Sequence, residues 1–102
     1  MKRYKVIFDQ ATYDDLIEIY NYLAPRRGND FARQYIDNIY NHCLEFDIFP
    51  ERGTLRNEIR QGLRVVGYKR KIAIAFRVKD GTVSIMRILY NGQNLNFDDM
   101  ID

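Results

Sequence analysis

The spacing of apolar residues changes from a helical to an extended period within this chain of 102 residues. Up to about Asp47, apolar side chains recur three and four positions apart, which is typical of amphipathic helices. From Leu63 onward the larger apolar side chains tend to fall on alternate positions, which is typical of strands. A chain of this length supports one hydrophobic core. We therefore expect a single α+β domain over residues 1–102, in which helices cover a sheet.

The first half of the chain predicts one strand and one helix before the first proline. The strand is expected at Arg3 to Phe8, where alternate residues are apolar. Asp9 is a plausible N-cap for the helix that follows, which is expected to run to about Ala24. Pro25 is expected to end this helix, because its ring disfavours a helical conformation in the residue before it.

A second helix is predicted after a four-residue loop at 26–29. Asn29 or Asp30 can cap this helix, whose apolar stripe continues to about Asp47. The turn from Pro50 to Gly53 ends it. Because the connection between the two helices is so short, they are expected to form an antiparallel hairpin.

The second half predicts three strands, at Leu63 to Tyr68, at 72–78 and at Thr82 to Tyr90. Asp80 and Gly81 form a strong two-residue hairpin signal between the last two strands. The predicted order is β-α-α-β-β-β: an antiparallel sheet, with the first strand at its edge and the helical hairpin on one face. Residues 91–102 have weak periodicity and are expected to form a short helix or a flexible end.

The net charge of +2 conceals an uneven distribution along the chain. Residues 51–87 carry 10 basic and 3 acidic side chains, whereas residues 1–50 carry 6 basic and 8 acidic ones. A basic region favours an anionic partner, either nucleic acid or an acidic protein segment. The alternative is a sheet edge that Arg and Lys keep soluble.

Several features indicate a cytoplasmic protein without a cofactor. Cys43 is the only cysteine, so a disulfide framework and a thiolate metal cluster are excluded. The longest apolar run, 72–76, is far too short to cross a membrane. The N-terminal residues do not have the pattern of a signal peptide.

Two groups of residues that often carry catalysis are better interpreted without a catalytic role, and for His42 this means a structural or solvent-facing side chain. His42 is the only histidine, and its neighbour Cys43 lies on another part of the helix surface, so a Cys–His pair is not expected. Asp14, Asp15 and Glu18 lie on the first helix, away from its apolar stripe. We interpret them as a solvated helix face, and we predict no metal site.

The basic residues of the second half are the stronger candidates for function. They lie on or between strands of one sheet: Arg56, Arg60, Arg64, Lys69, Arg70, Lys71, Arg77 and Arg87. Arg87 is unusual because its neighbours in the strand are apolar, so it requires a partner or access to water. It either pairs with a helix carboxylate or contacts an acidic partner or phosphate. Tyr68 and Tyr90 fall at strand ends near these cations.

Three segments follow one another in the second half of the chain. They are Phe49-Pro50-Glu51-Arg52-Gly53, then residues 58–64 (Glu-Ile-Arg-Gln-Gly-Leu-Arg), then the strand ending at residues 85–90 (Ile-Met-Arg-Ile-Leu-Tyr). In this order, and after two helical patterns, they resemble the RelE/ParE superfamily of toxins from toxin–antitoxin systems, and the ParE branch more closely. The resemblance extends from about Tyr4 to about Tyr90.

The resemblance implies one of two activities on a shared fold. RelE-type members cut messenger RNA on the ribosome, whereas ParE-type members inhibit DNA gyrase and are not nucleases. The arginine that RelE-like ribonucleases carry early in the middle strand corresponds to Ala73 here, and the loop at 50–57 lacks their lysines. Some ribonuclease potential would remain in Arg64, Arg87 and Tyr90.

We therefore predict a ParE-like toxin that inhibits gyrase by binding and that a ParD-like antitoxin neutralises in a hetero-oligomer. The alternative partners are the ribosome and mRNA, and a third possibility is a degenerate toxin that only binds antitoxin. No catalytic residue, metal or cofactor is assigned, and no membrane contact is expected. The candidate residues for binding antitoxin or target are Arg56, Arg60, Arg64, Lys69, Arg70, Arg87 and Tyr90.

Overall fold

The computed structural model describes residues 2–91, which form two helices packed on one face of a five-stranded sheet. The helices are α1 (Gln10–Arg27) and α2 (Asn29–Leu44), and α2 continues into a short 3-10 helix (Glu45–Asp47). The strands are β1 (Lys5–Phe8), β2 (Thr54–Leu55), β3 (Leu63–Tyr68), β4 (Ile72–Lys79) and β5 (Thr82–Tyr90). The predicted tail at 92–102 lies outside the described residues.

Helix α1 does not end before Pro25, as predicted, but continues through it to Arg27. Pro25 lies in the last turn and is exposed, so its ring removes only the one hydrogen bond that would reach back by four residues. Arg26 donates from Nη1 to the Tyr22 carbonyl oxygen at 2.7 Å. Gly28 then reverses the chain with φ of 95°, so one residue, and not a four-residue loop, separates the two helices.

The sheet has the strand order β1-β5-β4-β3-β2, and it is mixed, not wholly antiparallel. Strands β2 to β5 pair antiparallel, as predicted for the last three, but β1 pairs parallel to β5 from Lys5 opposite Thr82 to Phe8 opposite Ile85. The helical hairpin leads from β1 at one edge of the sheet to β2 at the other edge, and the chain then returns through β3 and β4 to β5. The two-residue strand β2 was not predicted because it is too short to show alternation.

Strands β3 and β5 have the predicted bounds, and β4 extends one residue further than expected, to Lys79. Asp80 and Gly81 join β4 to β5 with φ of 53° and 76°. Both residues thus have the left-handed conformation that this type of two-residue hairpin requires.

A β-bulge interrupts the pairing of β4 with β5. Phe76 lies opposite Ile85 and Ala75 lies opposite Arg87, so Met86 is an additional residue on β5. The bulge changes which side chains of β5 share a face. Regular alternation along β5 would place Arg87 on the same face as Ile85, and the bulge prevents this.

Two apolar clusters lie on opposite sides of the sheet. Ile85 and Ile88, three positions apart, both belong to the large cluster beneath the helices, which the bulge makes possible. The rest of its buried members are Leu16, Ile19, Leu23, Ala32, Ile39, Cys43, Phe46, Ile72, Ile74, Phe76 and Val83. The smaller cluster comprises Leu63, Ala75 and Met86, with Ile59 and Val65 packed against it. Within residues 2–91, each helix is too short or too polar to span a membrane.

The turn after α2 is held by one arginine and one glycine. Arg52 donates to the carbonyl oxygens of Glu45 and Ile48, each at 2.9 Å, and of Phe49 at 3.0 Å. These bonds satisfy carbonyl groups that the end of the helix leaves free. Gly53 has φ of 67°, and a Cβ atom there would lie 2.2 Å from the Val65 carbonyl oxygen, so a larger residue cannot fit without a shift of the backbone.

Candidate functional site

Arg87 forms a buried ion pair with Asp15 of α1. Its Nε and Nη2 atoms each lie 2.9 Å from a carboxylate oxygen of Asp15, and the Ile88 amide donates to the same carboxylate at 2.8 Å. Of the two interpretations of Arg87, the ion pair with a helix carboxylate is confirmed. The prediction that Asp15 belongs to a solvated face is wrong, because this side chain is buried against β5.

The rest of the acidic group on α1 behaves as predicted. Asp14 and Glu18 are both exposed, and Asp14 accepts a 3.4 Å hydrogen bond from Gln10. Thr12, one turn before Asp15, donates from its hydroxyl to the Ile85 carbonyl oxygen at 2.9 Å. Thr12 and Asp15 of α1 thus bond to backbone groups of β5 near the point where β1 ends. The sequence of α1 alone does not indicate these contacts with β5.

Three of the predicted arginines are tied to the segment around β2. Arg64 is half-buried and donates from Nη1 to the Arg52 carbonyl oxygen at 3.2 Å. Arg56 forms an exposed ion pair with Glu58, and this hydrogen bond lowers the pKa of the Glu58 carboxyl. Arg60 is half-buried in the same turn, where its carbonyl oxygen accepts from Leu63 at 3.0 Å. These arginines therefore order the connection between β2 and β3.

Lys69, Arg70 and Lys71 form the turn between β3 and β4, and all three are exposed. Lys69 and Arg70 have φ of 48° and 60°, which is the left-handed region. The Lys69 ammonium group lies 5.5 Å from the centre of the Tyr68 ring. This turn is the most exposed concentration of positive charge among the predicted site residues.

Tyr90 lies in a group of aromatic side chains between the helices and the end of β5. Its ring is 5.6 Å from that of Tyr22 and 6.1 Å from that of Tyr35, which it meets edge-on. Burial raises the pKa of Tyr35, and the neighbouring Tyr90 and Tyr68 act in the same direction. A groove of about 400 Å³ opens beside these rings, and its lining includes Ile19, Tyr22 and Tyr90.

The residues with ribonuclease potential do not meet at one point. Arg64 and Tyr68 are four positions apart on β3, roughly 13 Å at the usual rise of a strand. Tyr90 is a further two strands away, since Tyr68 pairs with Ile72 and Ile72 pairs with Tyr90. Arg64 is directed to a carbonyl group near β2, whereas Tyr90 packs between the helices. Arg87, the third of the set, is bound to Asp15.

His42 and Cys43 are structural, as predicted. The imidazole ring stacks on Tyr68 with 4.2 Å between ring centres, and it meets Phe46 edge-on at 5.5 Å. Burial lowers the pKa of His42, and Arg52 lowers it further, whereas Glu45 raises it. Cys43 is fully buried, which raises the pKa of its thiol to about 12. Among residues 2–91, no three His, Cys, Asp or Glu side chains come together as a metal site.

Comparison with known proteins identifies the family of this fold. Residues 6–95 match the family model described as the ParE toxin of the type II toxin–antitoxin system parDE. A comparison with curated protein sequences gave no match. Two solved structures have a similar fold. The chromosomal ParDE system of P. aeruginosa superposes with a TM-score of 0.76 at 21% identity, over 88% of this chain and 98% of that one. The RelBE2 toxin–antitoxin complex of Mycobacterium tuberculosis superposes with a TM-score of 0.62 at 15% identity, over 86% of this chain and 98% of that one.

The family match spans most of the chain, and it agrees with the fold of two helices on a mixed five-stranded sheet. The prediction of the ParE branch is thereby confirmed. This chain belongs to the family of ParE toxins of type II toxin–antitoxin systems.

Proposed function

We propose that this toxin inhibits DNA gyrase by binding it, and that a cognate ParD-like antitoxin neutralises the toxin by forming a complex with it. Membership of the ParE family supports the proposal. The single structural observation that carries it is the separation of Arg64, Arg87 and Tyr90 on the sheet. The expected cytoplasmic location belongs to this proposal, because gyrase acts on the chromosome there.

The separation matters because cleavage of RNA needs several groups around one phosphate. A base must act on the 2′-hydroxyl, an acid must act on the leaving oxygen, and cations must stabilise the phosphate. The backbone positions of Arg64 and Tyr90 lie roughly 16 Å apart at the usual rise and spacing of strands. Their side chains also make different contacts, with the Arg52 carbonyl oxygen and with the rings of Tyr22 and Tyr35. Ala73, on the strand between them, has no polar side chain at the position where RelE-like ribonucleases carry an arginine. Binding is therefore better supported than catalysis.

The groove beside Tyr90 is our candidate binding site for the antitoxin. It is lined by the Ile19 side chain and by the rings of Tyr22 and Tyr90, so it offers apolar contacts to one face of an amphipathic helix. Both similar solved structures are described as toxin–antitoxin systems. The lining also includes Glu18, Asn21 and Asn91, and the Arg26 guanidinium lies over the Tyr22 ring. A segment that folds on binding and carries polar groups beside its apolar face fits this surface.

The residues that we propose to contact antitoxin or target lie outside the buried pair of Arg87 with Asp15, and none of them is buried. They are Arg56, Arg60, Arg64, Lys69, Arg70 and Tyr90. Arg87 is left out of this set because two of its nitrogen atoms hold Asp15. A change of Arg87 would therefore alter the fold as well as any contact with a partner, and it would not report on binding alone.

The proposal is tested with purified, antitoxin-free toxin in two parallel reactions. One reaction measures gyrase supercoiling of relaxed plasmid, and the other measures the integrity of mRNA on programmed ribosomes. We expect loss of supercoiling, or trapped cleaved DNA, with intact mRNA. Arg64→Gln and Tyr90→Phe should leave the ribosome reaction at its background level, since the toxin does not cut there.

Two outcomes would contradict the proposal. Cut mRNA with normal supercoiling, abolished by Arg64→Gln or Tyr90→Phe, would establish the ribosome-dependent endonuclease. If neither reaction responds but an antitoxin binds the toxin tightly, the chain is a degenerate toxin. In either case, the proposed antitoxin site is tested separately by calorimetry. We expect Tyr22→Ala to bind the antitoxin more weakly than the control Tyr13→Ala, which changes an exposed tyrosine outside the groove.

A further inference from the structure

The two hairpin turns at opposite ends of this sheet use different residue types for similar backbone conformations. The β4–β5 turn consists of Asp80 and Gly81, with φ of 53° and 76°. The β3–β4 turn consists of Lys69, Arg70 and Lys71, of which the first two have φ of 48° and 60°. Aspartate and glycine adopt left-handed conformations readily, whereas lysine and arginine do so only at a cost in free energy.

The strained residues at the β3–β4 turn therefore have no explanation in turn geometry. Asn and Gly at positions 69 and 70 would satisfy the same backbone without strain. Strain of this kind is concentrated at positions that serve binding or catalysis. The property that Lys69 and Arg70 add, and that the preferred turn residues lack, is positive charge at the tip of the hairpin.

These charges are available to a partner. Lys69, Arg70 and Lys71 are all exposed, and within residues 2–91 none of the three takes part in an ion pair. By contrast, Arg56 and Arg87 each have a carboxylate partner. The turn thus presents three adjacent, exposed cations that form no ion pair with another side chain among residues 2–91, and of these the Lys69 ammonium lies near the Tyr68 ring.

The turn is also held firmly in place. The Asn91 amide donates to the Lys71 carbonyl oxygen at 2.8 Å, which ties the turn to the end of β5. At its base, the Tyr68 ring is stacked on His42. A rigid presentation reduces the entropy lost when a ligand binds.

A second pair of cations lies toward the same end of the molecule. The Arg26 guanidinium lies 3.9 Å from the centre of the Tyr22 ring, which in turn contacts the Tyr90 ring at 5.6 Å. Tyr90 pairs with Ile72, the first residue after the turn. Arg27, next to Arg26, is exposed above Phe31. The cations at the end of α1 are thus connected to the β3–β4 turn through the Tyr22 and Tyr90 rings and the pairing of Tyr90 with Ile72.

We propose that the β3–β4 turn binds the phosphodiester backbone of double-stranded DNA, without regard to sequence. Lysine and arginine on a projecting turn neutralise phosphates, whereas an interface with a protein is usually anchored by buried apolar or aromatic side chains. The tip, from Lys69 to Lys71, carries no such anchor. This contact involves the toxin alone, so it does not depend on gyrase being the target.

The test measures the fluorescence anisotropy of a labelled duplex of about 20 base pairs with the full-length toxin, between ~50 mM and ~200 mM salt. The informative variant combines Lys69→Asn with Arg70→Gly, which removes two charges and supplies the residues that the turn prefers. The matched control combines Lys5→Gln with Lys79→Gln. It removes two exposed charges at the other end of the sheet, where both lysines lie opposite Thr82.

We expect the turn variant to bind DNA about tenfold more weakly. The slope of its log binding constant against log salt concentration should become less negative by roughly two. Its melting temperature should be unchanged or higher, because the strain is relieved. The control should change affinity by less than about twofold, and two unrelated duplex sequences should bind equally.

Three results would overturn the proposal. The first is no binding of any duplex at ~50 mM salt. The second is an equal loss in the turn variant and the control, since this would indicate a response to net charge alone. The third is a loss of binding to a polyglutamate peptide in the turn variant while its binding to DNA is unchanged, which would assign the turn to an acidic protein.

Discussion

The carboxylate of Asp15 receives two hydrogen bonds from the Arg87 guanidinium, each of 2.9 Å, in a site where both side chains are largely withdrawn from water. The pair joins α1 to β5 across 72 positions of the chain. Since the Ile88 amide bonds to the same carboxylate, Asp15 satisfies a guanidinium and a strand edge together. This contact fixes the helical hairpin on the sheet at the level of the bulge.

Asp15→Asn is therefore expected to destabilise the toxin by about 3 kcal/mol, because it leaves the Arg87 charge without its buried partner. The amide oxygen can still accept from Ile88, so the loss reports mainly on the ion pair. Urea unfolding of Asp15→Asn and of the unchanged protein measures this loss of stability. The matched control, Asp14→Asn, changes an exposed neighbour and should cost no more than about 0.5 kcal/mol. Equal unfolding midpoints for the two variants would contradict a structural role for the pair.

Gly53→Ala is expected to be more harmful than the same change at Gly81. Both glycines have positive φ, of 67° and 76°. A methyl group at position 53 would lie 2.2 Å from the Val65 carbonyl oxygen, whereas at position 81 nothing lies within 4 Å. The free energy of unfolding should fall by about 2 kcal/mol more in Gly53→Ala than in Gly81→Ala. The cost of alanine at positive φ is common to both variants, so this difference reports the steric clash at position 53. Similar losses at the two positions would show that the chain relaxes around residue 53.

Strand and turn positions were predictable where local pattern decides them. The bounds of β3 and β5 follow from alternation, and the Asp80–Gly81 turn follows from residue types that accept left-handed conformations. The end of α1 was not predictable in the same way, because the cost of Pro25 falls in the last turn, where the hydrogen bond that it removes matters least. The prediction rested on the preference of the residue before proline for an extended conformation, and Ala24 is nevertheless helical.

The candidate site was harder to predict, because its key contacts join residues that are distant in the chain. Arg87 was identified as a charge that needed a partner. The helical period places Asp15, four residues before Ile19, beside the apolar stripe, and it places Asp14 on the opposite side. The contact between Asp15 and β5 depends in addition on the bulge at Met86 and on the end of β1, neither of which leaves a local signal in the sequence. Similarly, the separation of Arg64 from Tyr90 follows from strand register, which residue types alone do not give.

His42 should make the stability of the toxin depend on pH. Burial lowers the pKa of His42 in the folded state below the value of about 6.5 in the unfolded chain. The folded state then binds fewer protons, so its stability is complete above about pH 6.5 and declines as the pH falls below that value. Urea midpoints between about pH 5.5 and pH 7.5 should show this decline in the natural chain. They should show less of it in His42→Gln, and identical pH profiles would contradict the assignment.

Cys43 should be unreactive in the folded toxin. Its side chain is fully buried, its thiol pKa is raised to about 12, and only the thiolate reacts with an aromatic disulfide reagent. At about pH 8 the native protein should therefore release almost no chromophore, whereas in denaturant the thiol approaches its usual pKa of about 8.5 and reacts within minutes. Asn41→Cys supplies the matched control, because position 41 is exposed on the same helix. One thiol of that variant should react at once and the other only after unfolding; fast reaction of both would mean that α2 opens readily from the sheet.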